Sequence, residues 1–206
     1  MSSTVHLAVY DTLADWEAGY AVAHINDPGF QREPGRYTVR TVAASAEPVT
    51  TMGGVRITPD LTLDELRPSD SAMLILPGAH GWEAGGHGGM VEAARGFLDA
   101  GVPVAAVCGA TGGLALGGLL DGRRHTSNAR EYLAGTGYAG ASGYVDAPAV
   151  TDGELITASG LHPVPFAREI FARLELYEPD VLEAWHNLFA TGDPAWYGRL
   201  MEAGAA

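Results

Sequence analysis

Cysteine is almost missing from this chain: Cys108 is the one thiol in 206 residues. A lone cysteine allows no intramolecular disulfide and no cysteine metal cluster, so nothing points to secretion and a reducing cytoplasm is the expected setting. Positive charge is scarce as well. The 12 Lys and Arg residues against 25 Asp and Glu leave a formal net charge of -13, which repels phosphate backbones and anionic lipid surfaces. No basic stripe overrides that field, and a nucleic-acid partner is not expected. No stretch approaches the roughly 20 apolar residues of a membrane span. The chain enters an apolar strand, Val5 to Tyr10, with no basic leader, so neither a membrane partner nor a targeting segment is expected. Internal repeats and low-complexity segments are absent too.

What remains is ordinary for one soluble α/β domain with a sizeable core: 47% hydrophobic and 18% charged residues. The 28 glycines are too many for a helical bundle and follow no collagen or linker period, which suits the tight turns of an α/β fold. A single domain over residues 1–206 is expected, with residues 177–206 a C-terminal helical extension packed on it.

The chain is organised around Val102 to Gly113. A short run of small and β-branched residues opened by Pro103 reads as a buried parallel strand that ends in Cys108. From Gly109 to Leu120 the residues are small and apolar at helical spacing, which places the thiol on a sharp strand-to-helix elbow. Backbone N–H groups and a helix N-terminus aimed at the sulfur would lower its pKa and favour the thiolate. The bland alternative is a small hydrophobe closing a core strand.

Other segments bear on the same edge. After the first strand, Asp11 to Asp15 leads into a helix from about Trp16 to Ile25. Glu17 then falls in its first turn, where it serves either a ligand site or the helix dipole; Asp15 has the N-cap role as its plain reading. A strand over Tyr37 to Ala43, a glycine hairpin over Val49 to Thr58 and a short helix over Leu61 to Leu66 follow. The strand Ala72 to Leu76 runs into Pro77-Gly78-Ala79, whose exposed amides suit an oxyanion cradle. His80 and His87 flank Glu83, but they sit among glycines rather than at fixed helical spacing, so no metal site is expected. His125 follows the elbow helix and can return beside Cys108; alone it reads as a surface histidine. Paired strands over Tyr144 to Thr151 and Glu154 to Ala158 precede Ser159-Gly160-Leu161-His162-Pro163 and a helix to Leu174. Two aromatic-bearing helices follow, and their aromatics read as packing rather than a cofactor box. No cofactor is expected.

This order of elements, with its L-P-G loop, V-C-G-A-T-G elbow, histidine loop and T-A-S-G turn, resembles the ThiJ/PfpI superfamily of class I glutamine amidotransferase-like proteins. The C-terminal W-H-N-L-F-A-T-G-D-P resembles a bacterial subgroup called type 1 glutamine amidotransferase-like. The resemblance implies a flavodoxin-like three-layer α/β/α sandwich with a mostly parallel sheet, a reactive Cys108, an acid at Glu17 hydrogen-bonded to it, and a homodimer. Gly78 and Ala79 fall at the oxyanion loop. Two departures stand out. Protease-like members carry a histidine directly after the cysteine, where this chain has Gly109, and Leu161-His162-Pro163-Val164 lacks the Glu that follows His-Pro in true amidotransferases.

Two functions from different classes therefore compete. One is a cysteine-dependent hydrolase or lyase of a small carbonyl, amide or glyoxal substrate. In it Cys108 attacks, amides of Ala79 and Gly109 hold the oxyanion, a protonated Glu17 donates or shuttles a proton, and His125 or His162 assists. The other is a redox-sensing stress protein whose Cys108 is oxidised. A structural subunit with a vestigial elbow is a third reading.

Overall fold

The computed structural model describes residues 3–204, so residues 1–2 and 205–206 of the expected domain lie outside the described residues. In chain order the elements are β1 (Ser3–Ala8), α1 (Gly19–Asn26), β2 (Tyr37–Ala43), β3 (Val49–Thr50), β4 (Arg56–Ile57), β5 (Leu61–Thr62), β6 (Ser71–Leu76), α2 (Gly88–Asp99), β7 (Val104–Val107), α3 (Gly109–Leu116), α4 (Arg130–Ala134), β8 (Ala149–Asp152), β9 (Leu155–Ala158), α5 (Pro163–Leu174), α6 (Pro179–Thr191) and α7 (Ala195–Ala203).

Seven strands form one sheet in the order β5-β2-β1-β6-β7-β9-β8. Every pairing is parallel except that of β8 with β9, which the two-residue turn Gly153-Glu154 joins as an antiparallel edge, one residue on from the Asp152-Gly153 expected. The central strands are apolar on both faces: Val5, Leu74, Ile75, Val104 and Ile156 are all fully buried. A strand buried on both sides needs a cover on each. On one side α1 packs on α5, α5 on α6, and α6 on α7; on the other α2 and α4 pack on α3. The result is a flavodoxin-like α/β/α fold with extra C-terminal helices. No described helix is long and apolar enough to cross a membrane.

Two local expectations change. The segment after Asp60 is an edge strand, not a helix: Leu61 and Thr62 pair with Val42 and Ala43, and the Glu65 carboxylate accepts the Thr62 N–H at 2.8 Å, closing a turn there. Asp15 is not a helix cap. Its carboxylate accepts the Gly53 N–H at 2.7 Å and Asp11 accepts the Thr50 N–H at 2.8 Å, so both acids tie the β3-β4 hairpin to the loop behind β1. Helix α1 consequently begins at Gly19, and Glu17 lies in the turn before it.

Candidate active site

Strands β1, β6, β7 and β9 are neighbours and parallel, so the segments leaving their carboxyl ends meet at one edge of the sheet. Those segments carry Glu17, Gly78-Ala79, Cys108 and Ser159-Gly160.

Cys108 sits between β7 and α3 with φ 56° and ψ -123°, a backbone conformation disfavoured for any residue with a Cβ. The Cys108 N–H is anchored to Ala158 O at 3.0 Å, which fixes the elbow to the end of β9. Small neighbours make the turn feasible. A Cβ at Gly109 would stand 3.2 Å from Ala79 O, and one at Gly113 would enter the buried Trp82 ring at 2.1 Å. The elbow expected from the sequence is thus present, with Trp82 packed down onto the start of α3.

Glu17 is 1% exposed. Its Oε2 accepts the Gly78 N–H at 2.5 Å. Oε1 is buried, has no N–H or hydroxyl partner among the described residues, and shares with Cys108 Sγ the space over Gly160: a Cβ at Gly160 would lie 2.9 Å from each. Burial raises the Glu17 carboxyl above its ordinary value, against the Gly78 N–H that lowers it. Burial also pushes the Cys108 thiol up to about 11, with the Glu17 charge adding to the rise. This reverses the depressed thiol expected from the elbow alone: loss of water around the sulfur and a neighbouring acid outweigh the Gly109 N–H and the helix N-terminus. The pair resists carrying two negative charges, so it retains one proton in common.

The amides of the expected oxyanion cradle divide. Gly78 is committed to Glu17, so its N–H does not face a substrate. The Gly109 N–H, at the start of α3, acts to lower the thiol. Among the described residues the Ala79 N–H has no acceptor.

The two histidines stand apart from the sulfur's hydrogen bonds. His125 is fully buried; Nδ1 bonds Arg123 O at 2.8 Å and Nε2 bonds the Tyr138 hydroxyl at 3.0 Å. Both ring nitrogens are thereby occupied, and the expectation that His125 returns beside Cys108 is corrected: the same segment delivers Asn128 instead. Asn128 donates from Nδ2 to Cys108 Sγ at 3.2 Å. Sequence reading passed over it because asparagine in a polar loop carries no chemical signature; its place just before α4, in the segment returning from the elbow helix, was the available signal. His162 lies immediately before α5, its Nδ1 buried without a partner among the described residues, on the wall of a cleft of about 610 Å³ shared with Ser127, Asn128, Arg130, Tyr144 and Ser159. The cleft therefore adjoins the sulfur through Asn128. Outside it, Trp16 is 52% exposed and donates to Gly160 O at 3.0 Å.

No group of three or more His, Cys, Asp and Glu side chains is gathered to hold a metal ion among the described residues. His87 instead packs at a tilt against both Tyr10 and Trp82, its Nε2 on His80 O at 2.9 Å.

Comparison with known proteins agrees with this architecture. The chain is 38% identical over 200 residues to the uncharacterized protease YoaZ of Bacillus subtilis, covering 96% of this chain and 95% of that protein. The crystal structure of a thiJ/pfpI family protein from Bacillus anthracis superposes with a TM-score of 0.92 at 40% identity, covering 98% of this chain and 97% of the other. The DJ-1 superfamily protein Atu0886 from Agrobacterium tumefaciens gives a TM-score of 0.79 at 34% identity, over 92% of this chain and 98% of that one. The family model for DJ-1/PfpI matches residues 3–173, from β1 into α5, and with these relatives it shows that the chain belongs to the DJ-1/PfpI family.

Proposed function

We propose that this protein is a cysteine-dependent hydrolase or lyase acting on a small carbonyl or amide compound. The observation that carries the reading is the Cys108–Glu17 pair: a thiol on a strained elbow faces a buried carboxyl whose Oε1 has no other partner among the described residues. In the hydrolytic case Sγ adds to the substrate carbonyl carbon while its proton passes to Glu17. The carbonyl oxygen becomes an oxyanion at the N–H groups of Ala79 and Gly109. Collapse breaks the bond to the leaving group, which departs with the proton from Glu17, and water then cleaves the thioester. His162, on the cleft wall, is available to orient that water. The cleft of about 610 Å³ beside Asn128 is within the range that small-molecule sites occupy, which supports a small substrate.

The test is a panel of small amides, esters and glyoxals with mass spectrometry of Cys108. Turnover with a transient Cys108 adduct is expected, and Cys108→Ser should abolish both; turnover that persists in Cys108→Ser overturns the reading.

One observation favours a second reading. The side chain that donates to Sγ is an amide, so no imidazole is hydrogen-bonded to the sulfur to move its proton. In this reading the thiolate attacks hydrogen peroxide, leaving a sulfenate and water, and serves as a redox sensor. Stepwise oxygen addition at Cys108 under dilute peroxide, with no turnover across the panel, would select it. Under either reading we propose a homodimer in the cytoplasm. A partner subunit would cover exposed apolar side chains such as Trp16, Met52 or Val55, and sedimentation at the monomer mass would refute it.

A further inference from the structure

Asn128 is held at both ends of its side-chain amide. Nδ2 donates to Cys108 Sγ at 3.2 Å, while Oδ1 accepts the Gly160 N–H at 2.9 Å and stands 3.5 Å from the Ser159 hydroxyl. A backbone N–H can only donate, so Gly160 decides which end of the amide is oxygen. The NH2 end has no alternative but to face the sulfur. Ala129, at φ -163° and ψ 157°, is extended and sets Asn128 off from the start of α4, leaving the side chain free to span the gap to the elbow.

We infer that Asn128 is the positioning residue of the Cys108 thiolate: it supplies a fixed, non-titrating N–H donor to the sulfur and leaves Glu17 as the group that exchanges the proton. An amide cannot act as a base at neutral pH, so a donor here favours the thiolate without taking part in proton transfer. The inference rests on Cys108 being the reacting atom. The titratable groups whose charge acts on the sulfur are Glu17 from the turn before α1, Tyr10 just after β1, whose hydroxyl donates to Pro77 O, and Tyr132 from α4, whose hydroxyl donates to Glu83. Burial raises both tyrosines, which therefore stay neutral where the thiol is assayed. Asn128 opposes the burial that lifts the thiol.

Because the chain has a single cysteine, iodoacetamide alkylation of the full-length protein reads this thiol whether or not any substrate is turned over. The comparison uses the wild type, Asn128→Leu, which keeps the branched shape and removes both polar ends, and Asn128→Asp, which replaces the donor by an acceptor. Loss of a charge-assisted hydrogen bond should move the alkylation profile up by about one pH unit in Asn128→Leu, or about tenfold slower at fixed neutral pH. Asn128→Asp should be slower still, because it adds a like charge. Asn128→Ser, small and still a donor, should fall between the wild type and Asn128→Leu, and it serves if Asn128→Leu fails to fold by circular dichroism. Equal profiles in the wild type and the donor-less variant, or faster alkylation, would overturn the inference. A shifted profile with no turnover on the substrate panel would refute the hydrolase while leaving the role of Asn128 intact.

Discussion

Glu17 accepts the backbone N–H of Gly78 through Oε2, and this bond leaves Oε1 to share the space over Gly160 with the sulfur of Cys108. The two acids follow different strands of the sheet, β1 and β7, and the Pro77-Gly78 turn leaving β6, the strand between those two, sets their approach. Each raises the difficulty of ionising the other, so the proton they hold in common is the main chemical resource of the site.

Removing the Glu17 charge should free the thiol. In Glu17→Gln the carboxylate repulsion disappears and the new amide can donate to sulfur, so the thiolate midpoint should drop from about 11 toward the ordinary range. Alkylation at neutral pH should then quicken by up to about tenfold per pKa unit. Turnover should fall by about 10²–10⁴, the usual contribution of a proton carrier. Slower or unchanged alkylation would show that the Glu17 charge does not act on the sulfur.

The same residue should govern part of the pH dependence of stability. The native Glu17 carboxyl is raised above the ordinary value of 4.5, so the folded state holds its proton more tightly than the unfolded state. That contribution is fully present below the ordinary value and is lost as pH rises through the native one. Glu17→Gln should therefore melt above the wild type at neutral pH, by about 2–4 °C per kcal/mol of burial penalty removed, and converge with it in acid. Calorimetry across that range checks the sign; a variant that melts lower at neutral pH contradicts it.

Gly78 and Gly160 should tolerate no side chain. A Cβ at Gly78 would stand 2.9 Å from the Cys108 Cβ and from Glu17 Oε2, and one at Gly160 2.9 Å from Sγ and Oε1. Each alanine substitution should cost about 1–3 kcal/mol and disturb thiol reactivity, because the residues displaced are the site itself. In Gly113→Ala the clash is with Trp82, so stability should fall as well. Denaturant unfolding alongside alkylation distinguishes the crowded site from the crowded core.

His125 should matter to stability and not to sulfur. His125→Phe leaves Arg123 O and the Tyr138 hydroxyl without their partner and should cost about 1–3 kcal/mol. Its alkylation profile should overlay that of the wild type. A shifted profile would put the ring back in the site.

Much of this protein is legible in the order of its residues. The run Val104–Val107 followed by small residues from Gly109 requires a buried strand and then a close-packed helix, and the junction can only fall at Cys108. The antiparallel pair around Gly153 and the helix from Pro163 follow from turn and helix-start signals of the same local kind. What sequence reading could not supply was the relation between segments far apart in the chain. Asp15 beside Glu17 looks like its equal, yet Asp15 turns out to Gly53 while Glu17 turns in to Gly78. His125 carries the stronger chemical signature, yet Asn128 reaches the sulfur. The rise of the Cys108 thiol is of the same kind, because burial and a neighbouring charge depend on what folds over the elbow. Local geometry is encoded in neighbouring residues, so the elbow could be read directly; side-chain direction, solvation and charge contact at the sheet edge arise only when β1, β6, β7 and β9 are brought side by side.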